Sequence, residues 1–243
     1  MEIDKIYNID CLEGMKLIPD GSIDAVSCDL PYGTTHNTWD SVIPLDELWA
    51  EYKRICKPTA PIVLFSQQPF TSALVMSNPS MFRYEWIWEK SRATGHLNAK
   101  KMPMKVHENV LIFYDTLPTY NPQFTKGDPY VSHCDGHSSN YGYQAGAVIV
   151  NEGIRYPQDI IEFTSEMDTI HPTQKPVDLL RYLVLTYTNE GDTVLDNCMG
   201  SGTTAIACIK EKRHFIGFEL SKEYFEKAIR RIEQEKSQLT FDF

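Results

Sequence analysis

Four consecutive residues at the end of a predicted strand, Asp29-Leu30-Pro31-Tyr32, combine groups that can bind a polar aromatic ring. The apolar run before Asp29 predicts a buried strand, and residues 31–33 predict a sharp turn. Ligands bind at the carboxyl edge of the strands in open α/β sheets. The Asp29 carboxylate and the Leu30 carbonyl would accept two hydrogen bonds from an exocyclic amine while Tyr32 stacks on its heterocycle. A capped turn after a core strand explains the same four residues.

A second motif, Asp196-Asn-Cys-Met-Gly200-Ser-Gly202-Thr-Thr, predicts a strand, a glycine-rich turn and a helix. Glycines let a ligand approach the backbone, and a helix amino terminus favours a negative group such as a carboxylate. The third glycine of the dinucleotide fingerprint is missing and no Gly-Lys-Ser/Thr follows, so a phosphate loop is excluded. Glu219 ends the next predicted strand, where an acid is placed to bind the two hydroxyls of a ribose. The pattern favours a nucleoside that carries a carboxylate, as S-adenosylmethionine does.

A third motif, His171-Pro-Thr-Gln-Lys-Pro, precedes an apolar helix. The hydroxyl of Thr173 and the ammonium of Lys175 lie on a turn that two prolines stiffen, and they could clamp the same carboxylate. A proline-stiffened helix start is the alternative.

Charge is distributed unevenly along the 243 residues. The net charge of −10 argues against a nonspecific nucleic-acid coat but permits a local basic surface. Six Lys and Arg residues lie between Arg83 and Lys105 against two acids, interleaved with aromatic residues that can stack on bases. A solvated surface around an ordinary strand is the alternative. The residues expected to contact DNA are Lys90, Arg92, Lys100, Lys101 and Lys105.

Strands and helices alternate in both halves of the chain, which predicts an α/β fold with a doubly wound, mostly parallel sheet. Between them, residues 115–170 are rich in Gly, Pro, Asn, Ser and Tyr and lose periodicity, which indicates an irregular insert with its own aromatic core. Strands are predicted at residues 4–10, 60–66, 84–88, 110–114, 193–196 and 214–219 and up to Asp29; helices at 11–19, 45–56, 69–76, 177–188, 205–211 and 222–235.

The six cysteines are scattered without a Cys-x-x-Cys pair, which favours reduced thiols in a cytoplasmic protein. No apolar run approaches the ~18–20 residues of a membrane span, and the first residues do not resemble a secretory signal. His133, Cys134 and His137 lack a fourth ligand and match no standard zinc spacing, so no metal site is expected.

The three motifs, in this order, resemble those of the β-class DNA amino-methyltransferases, which methylate adenine N6 or cytosine N4. In that class the catalytic tetrapeptide comes first and the cofactor glycine loop last, with a target-recognition region between them. The resemblance implies a seven-stranded Rossmann-like methyltransferase sheet. It also implies a catalytic domain from residues 1–114 and 171–243, and a target-recognition insert at 115–170.

The resemblance assigns roles to individual residues. Asp29, Leu30, Pro31 and Tyr32 would hold a flipped-out base. Two positions depart from the family, which usually has proline at Leu30 and phenylalanine at Cys198. The residues implied around S-adenosylmethionine are Asp10, Cys11, Asp29, Thr173, Lys175, Asp196, Cys198, Gly200, Ser201, Gly202, Thr203, Glu219 and Leu220.

The expected activity is therefore methyl transfer from S-adenosylmethionine to the exocyclic amine of a base in double-stranded DNA. Adenine N6 is favoured because the family's Asp-initiated tetrapeptide goes more often with that target; cytosine N4 is the alternative. An RNA or protein-amide methyltransferase is disfavoured by the motif order and the large insert. A catalytically silent DNA-binding relative is disfavoured by the retained Asp29, Tyr32, Lys175 and Glu219. A homodimer and a cognate restriction endonuclease are the further partners that the family suggests.

Overall fold

The computed structural model describes residues 1–33, 41–133, 137–138, 142–143, 148–167 and 169–239, with the backbone alone at 137–138, 142–143 and 239. Two compact units are present. The larger comprises Met1–Asn121 and Asp159–Phe243, and the smaller comprises Pro122–Gln158. The sequence at residues 34–43 predicts a polar loop long enough to be mobile, and of it the structure describes only residues 41–43.

The described strands fall into one large sheet and three two-stranded ladders. In chain order the strands are β1 Lys5–Tyr7, β2 Ala25–Asp29, β3 Ile62–Ser66, β4 Phe82–Thr94, β5 Lys105–Phe113, β6 Thr125–Lys126, β7 Tyr130–His133, β8 His137–Ser138, β9 Gly142–Tyr143, β10 Val148–Asn151, β11 Ile154–Arg155, β12 Ile160–Phe163, β13 Thr193–Asp196 and β14 His214–Phe218. The helices are α1 Cys11–Met15, α2 Leu45–Ile55, α3 Phe70–Ser77, α4 Val177–Tyr187, α5 Thr203–Lys210 and α6 Lys222–Leu239.

The large sheet has the strand order β1-β14-β13-β2-β3-β5-β4-β12. All neighbouring pairs are parallel except the two that involve β5. This confirms the α/β fold and the mostly parallel sheet. The expected count of seven strands is wrong, because β12 joins β4 as an eighth strand. Its four residues follow an irregular segment and carry no alternating pattern long enough to identify them.

Alternate residues of the central strands enter two separate cores, one on each face of the sheet. On β3, Val63 and Phe65 pack with α4 and α5, whereas Ile62 and Leu64 pack with α1 and α2. Each face is therefore covered by helices, as the sequence predicted for a doubly wound sheet. Burying both faces fixes the strand ends, and with them the loops at the carboxyl edge.

The predicted helices and strands outside residues 115–170 are present, and most of their ends shift by a few residues. The largest differences lie in β4 and β5, which extend through much of the predicted basic loop. Their connection contains only a short 3₁₀ turn, His96–Asn98. We call residues 90–105 the basic hairpin.

The smaller unit lies within the predicted insert and is shorter than it at both ends. It consists of antiparallel ladders, β7 with β10, β6 with β11 and β8 with β9. Phe124 meets Tyr156 edge to face, with ring centroids 4.9 Å apart, and the Arg155 guanidinium lies 4.8 Å from the Tyr130 ring centroid. Aromatic contacts therefore help to order this unit, although its ladders are short.

Three sequence predictions concern the whole chain. In the parts that the structure describes, no helix is both long and apolar enough to cross a bilayer. The five cysteines among the described residues are free thiols. No metal site was expected at His133, Cys134 and His137. This prediction stays untested, because Cys134 and the side chain of His137 lie outside the described part of the chain.

Candidate active site at the carboxyl edge of the sheet

The first and second motifs lie on neighbouring strands. Asp29 is the last residue of β2 and Asp196 the last residue of β13, and these strands are paired in parallel. The carboxyl ends of both strands therefore meet at one edge of the sheet. The tetrapeptide at residues 29–32 and the glycine loop, although far apart in the sequence, are adjacent in the fold.

The glycine loop after β13 is shaped by the Asp196 carboxylate, which is only 4% exposed. One oxygen accepts the backbone N–H of Cys198 at 3.0 Å and the other accepts the Thr204 hydroxyl at 2.6 Å. Gly200 and Gly202 have φ angles of 53° and 79°, in the left-handed region that favours glycine. Burial raises the pKa of Asp196 to about 6. Asp196 thus holds the loop in shape.

Glu219, directly after β14, binds the same loop from the next strand. Its Oε2 accepts the backbone N–H of Gly200 and its Oε1 accepts that of Ser221, both at 2.8 Å. Burial raises the pKa of this half-buried carboxyl. An ionised carboxylate has about four acceptor positions, so about two remain for other donors. The side chain of Leu220, the next residue, is 66% exposed and is therefore not part of the apolar core.

The start of α5 is braced by a group that the sequence did not reveal. The hydroxyls of Ser201 and Thr203 lie 2.9 Å apart, and Arg231 of α6 donates to the Thr203 hydroxyl at 2.8 Å. Arg231 also lies 3.4 Å from Glu166, whose other oxygen accepts the backbone N–H of Val177 at 3.0 Å. Glu166 therefore joins the amino terminus of α4 to α6, and Arg231 joins α6 to the glycine loop.

The third motif connects the two halves of the site. The Nδ1 atom of His171 accepts the backbone N–H of Thr173 at 3.3 Å, and its ring meets Tyr224 edge to face at 4.2 Å. A Cβ atom placed on Gly200 would lie 3.9 Å from this ring, so His171 packs beside the glycine loop. Burial, together with Lys175 and the nearby Lys227, lowers the pKa of His171 to about 4. His171 is therefore neutral at pH 7.

Lys175 reaches the tetrapeptide rather than an open cofactor site. Its Nζ atom lies 2.5 Å from Asp29 Oδ2 and 3.2 Å from Glu108 Oε2. Lys90 pairs with the other oxygen of Glu108. The Tyr32 hydroxyl donates to Asp29 Oδ1 at 2.7 Å. Both oxygens of Asp29 therefore already accept a hydrogen bond within the protein.

The two carboxylates and two ammonium groups of this buried cluster balance in charge. Burial and the charge of Glu108 raise the pKa of Asp29, although Lys175 opposes them. Burial also acts to raise the pKa of Glu108, but Lys175 and Lys90 outweigh it and hold that pKa below its usual range. The Lys175 pKa is raised because its two carboxylate partners outweigh the effect of burial. The two lysines therefore stabilise the ionised form of Glu108.

The remaining tetrapeptide residues are positioned by packing. The Leu30 side chain is 3% exposed and lies in the core, so only the main-chain groups of this residue could contact a ligand. The Tyr32 ring stacks on Phe70 with centroids 5.4 Å apart and an interplanar angle of 27°. Burial and the charge of Asp29 raise the pKa of the Tyr32 hydroxyl. Pro31 is half-buried.

Two residues predicted at the cofactor site have local structural partners. Asp10 caps α1, its carboxylate accepting the backbone N–H groups of Leu12 and Glu13 at 2.9 and 3.2 Å. Cys11 is buried, and the nearby thiol of Cys198 in the glycine loop raises its pKa. Cys198 thus fills its position with a thiol contact where the family usually has a ring.

The structure revises the expected surroundings of Lys90 and Lys175. Lys90, predicted to contact DNA, has a side chain only 11% exposed because it is paired with Glu108. Lys175, predicted beside the cofactor carboxylate, is paired with Asp29 and Glu108. Both differences have one cause: Glu108, an acid within the apolar strand β5, is buried and recruits two lysines. That acid in an apolar run was the sequence signal for a buried ion pair.

The other four basic residues of the hairpin are exposed. They make no ion pair with any part of the chain that the structure describes. These residues are Arg92, Lys100, Lys101 and Lys105.

Comparison with known proteins identifies the family. The DNA methylase family of adenine-N6 and cytosine-N4 methyltransferases matches residues 23–230. The chain belongs to this family. This family depends on S-adenosylmethionine and acts on DNA, which confirms the cofactor and the substrate class that the motif resemblance implied.

Relatives of this DNA methylase span nearly the whole chain. It is 30% identical to the type II methyltransferase M.BglII of Bacillus subtilis, over 93% of this chain and 68% of that protein. It is 27% identical to the DNA adenine methyltransferase YhdJ of Escherichia coli, over 96% of this chain and 83% of that protein.

Solved structures agree with the fold of this methylase. The M1.HpyAVI–SAM complex is 25% identical with a TM-score of 0.64, covering 93% of this chain and 98% of that one. The cytosine-N4-specific PvuII DNA methyltransferase is 16% identical with a TM-score of 0.67, covering 96% of this chain and 90% of that one, and it supports the fold alone. The relatives therefore include proteins named for either target base.

Proposed function

We propose that this chain is a site-specific DNA methyltransferase that transfers a methyl group from S-adenosylmethionine to N6 of adenine. The observation that carries the proposal is the position of Asp29, at the end of a strand whose parallel neighbour leads into the glycine loop. Adenine is favoured by the Asp-initiated tetrapeptide and by the similarity to a DNA adenine methyltransferase. Cytosine N4 is the second candidate, because the tetrapeptide could hold either amine.

The groups at the glycine loop fit S-adenosylmethionine. Glu219 keeps about two acceptor positions for the ribose hydroxyls after binding Gly200 and Ser221. The left-handed glycines leave backbone accessible at the amino terminus of α5, where a carboxylate is favoured. Asp196 and Arg231 would maintain the loop around the cofactor. When bound, S-adenosylmethionine supplies an electrophilic methyl group.

The tetrapeptide would activate the target amine. An amine on an aromatic base is a weak nucleophile because its lone pair is delocalised into the ring. Hydrogen bonds to Asp29 and to the Leu30 carbonyl would draw the nitrogen toward tetrahedral geometry and stabilise the positive charge that develops on it. Holding the amine against the methyl donor supplies much of the remaining rate enhancement. Tyr32 would hold the extruded base by stacking.

The basic hairpin would bind the DNA backbone. Residues 90–105 contain five Lys or Arg residues and no Asp or Glu, in a chain with a net charge of −10. Four of these basic side chains are exposed, and phosphate contacts of this kind provide affinity that does not depend on sequence. Lys90 is excluded from this role by its pairing with Glu108.

Sequence specificity would come from the predicted target-recognition insert, residues 115–170, within which the smaller compact unit falls. The similarity to type II methyltransferases favours a modification role alongside a cognate restriction endonuclease. That partner, a homodimer and a cytoplasmic location stay predictions.

Modification-sensitive sequencing of DNA from cells that express this chain tests the proposal. We expect N6-methyladenine at one short sequence, and none in cells that express Asp29→Ala. N4-methylcytosine would contradict the choice of base. No modified DNA, with cofactor binding intact by calorimetry, would indicate the silent relative or a methyltransferase of RNA or protein.

A further inference from the structure

The buried charge cluster presents a problem for the proposed chemistry. Asp29 must accept a hydrogen bond from the target amine, yet the Lys175 ammonium lies 2.5 Å from its Oδ2 atom. An ammonium there neutralises the carboxylate. It would also oppose the positive charge that develops on the amine. Lys175 therefore has to withdraw from Asp29 before Asp29 can act on a base.

Glu108 offers the place to which Lys175 can withdraw. Its Oε1 atom is occupied, by Lys90 and by Gln67 at 3.3 Å. Its Oε2 atom is buried and has no well-formed hydrogen bond, although Lys175 Nζ lies 3.2 Å away. A buried carboxylate oxygen that lacks a full hydrogen bond is costly, so a well-formed hydrogen bond from Lys175 at this atom is favourable.

The surroundings of Lys175 fit a short move between the two carboxylates. Its side chain is 7% exposed, so the ammonium cannot leave for solvent without opening the core. The Phe65 ring lies 5.2 Å from Nζ, close enough to stabilise the cation between the two carboxylates. Because two carboxylates and two ammonium groups are present, the move leaves the cluster neutral.

We propose that Glu108 is a positioning residue that receives the Lys175 ammonium when a target base enters, and so frees Asp29 to bind the amine. This inference rests on the proposed function and adds to it a condition for base binding. In the structure Lys175 bridges both carboxylates. In the base-bound state it would hydrogen-bond to Glu108 alone, and Asp29 would accept the amine in its place.

The test compares Glu108→Gln with the double variant Glu108→Gln/Lys175→Met. Gln cannot stabilise the ammonium, so in the single variant Lys175 stays on Asp29. The double variant removes the ammonium as well, leaving Asp29 and Lys90 as the remaining charges of the cluster. Glu190→Gln is the matched control because its carboxylate lies in an exposed ion pair with Lys212, away from the site and from the insert.

The main readout is the fluorescence of 2-aminopurine at the target position of a duplex that carries the methylated sequence, with kcat, KM for the duplex and cofactor affinity measured alongside. For Glu108→Gln we expect the fluorescence rise and kcat to fall about tenfold or more, with KM and cofactor affinity within about threefold of wild type. For the double variant we expect the fluorescence rise to return, because nothing then competes for Asp29. Glu190→Gln should behave as wild type.

Two results would overturn the inference. One is a normal fluorescence rise and kcat in Glu108→Gln. The other is a double variant as defective as the single one, since a loss that persists without Lys175 means that Glu108 acts through something else. Failure of the proposed function is distinguishable, because then the wild-type protein itself methylates no DNA, and the inference falls with it.

Discussion

Glu219→Gln offers a quantitative test of the cofactor site. In the structure the two carboxylate oxygens each accept a backbone N–H at 2.8 Å, from Gly200 and from Ser221. Gln keeps one acceptor oxygen and turns an NH₂ group toward the other donor or toward the ribose. One charge-assisted hydrogen bond to a ribose hydroxyl is lost, at about 1.5–3 kcal/mol. The dissociation constant of S-adenosylmethionine should therefore rise about 10- to 150-fold.

The assay is isothermal calorimetry with S-adenosylmethionine and with S-adenosylhomocysteine, its demethylated product, supported by urea unfolding to measure the change in stability. A 2′,3′-dideoxy analogue of S-adenosylhomocysteine serves as the chemical control, because it has no ribose hydroxyls for Glu219 to bind. It should bind wild type and Glu219→Gln with affinities within about threefold of each other. Glu190→Gln, in an exposed ion pair, is the matched protein control. Equal loss of affinity for the hydroxyl-bearing and dideoxy ligands would refute the assignment and leave Glu219 only a loop-shaping role.

Three further predictions address the hairpin, the base pocket and the His171 environment. Replacing both Lys100 and Lys101 with Ala should reduce the slope of log affinity against log salt by about 2 without changing the methylated sequence, and an unchanged slope in DNA-binding titrations would exclude these phosphate contacts. Tyr32→Ala should weaken binding of the extruded base by about 1–3 kcal/mol while Tyr32→Phe keeps most of it, and equal 2-aminopurine signals in the two variants would contradict stacking. Because the folded state holds His171 neutral with a pKa of about 4, against 6.5 for an ordinary histidine, the unfolded chain binds more protons in that window. Acidification from pH 6.5 to 4 should therefore destabilise wild type relative to His171→Gln by about 3 kcal/mol in urea unfolding, and parallel stability curves for the two proteins would contradict this.

The sequence predicted those parts of the site that follow from local pattern. The strand up to Asp29 and the strand up to Asp196 are short apolar runs with a clear end, and the glycines beyond Asp196 mark the turn. Because strands and helices alternate, the strands run parallel, and the carboxyl ends of both strands lie at one edge of the sheet whichever strands are neighbours. The same rule places Glu219 at this edge, because it directly follows the parallel strand β14.

Contacts that depend on strand register or on irregular segments could not be predicted. Whether Lys90 faces solvent or Glu108 is decided by the pairing of β4 with β5, and a shift of one residue would reverse it. Glu166 lies in a segment with no periodicity, so its contacts with α4 and Arg231 had no local signal. The eighth strand, β12, was missed for the same reason.

Methyl transfer by wild type and by Asp29→Asn tests whether the Asp29 carboxylate activates the target amine. Isotope-labelled S-adenosylmethionine and unmethylated duplex DNA are incubated with each protein, and labelled base is quantified while cofactor affinity is measured on the same preparations. We expect labelled N6-methyladenine with wild type and none with Asp29→Asn, at similar cofactor affinity. Transfer by Asp29→Asn at the wild-type rate would contradict it.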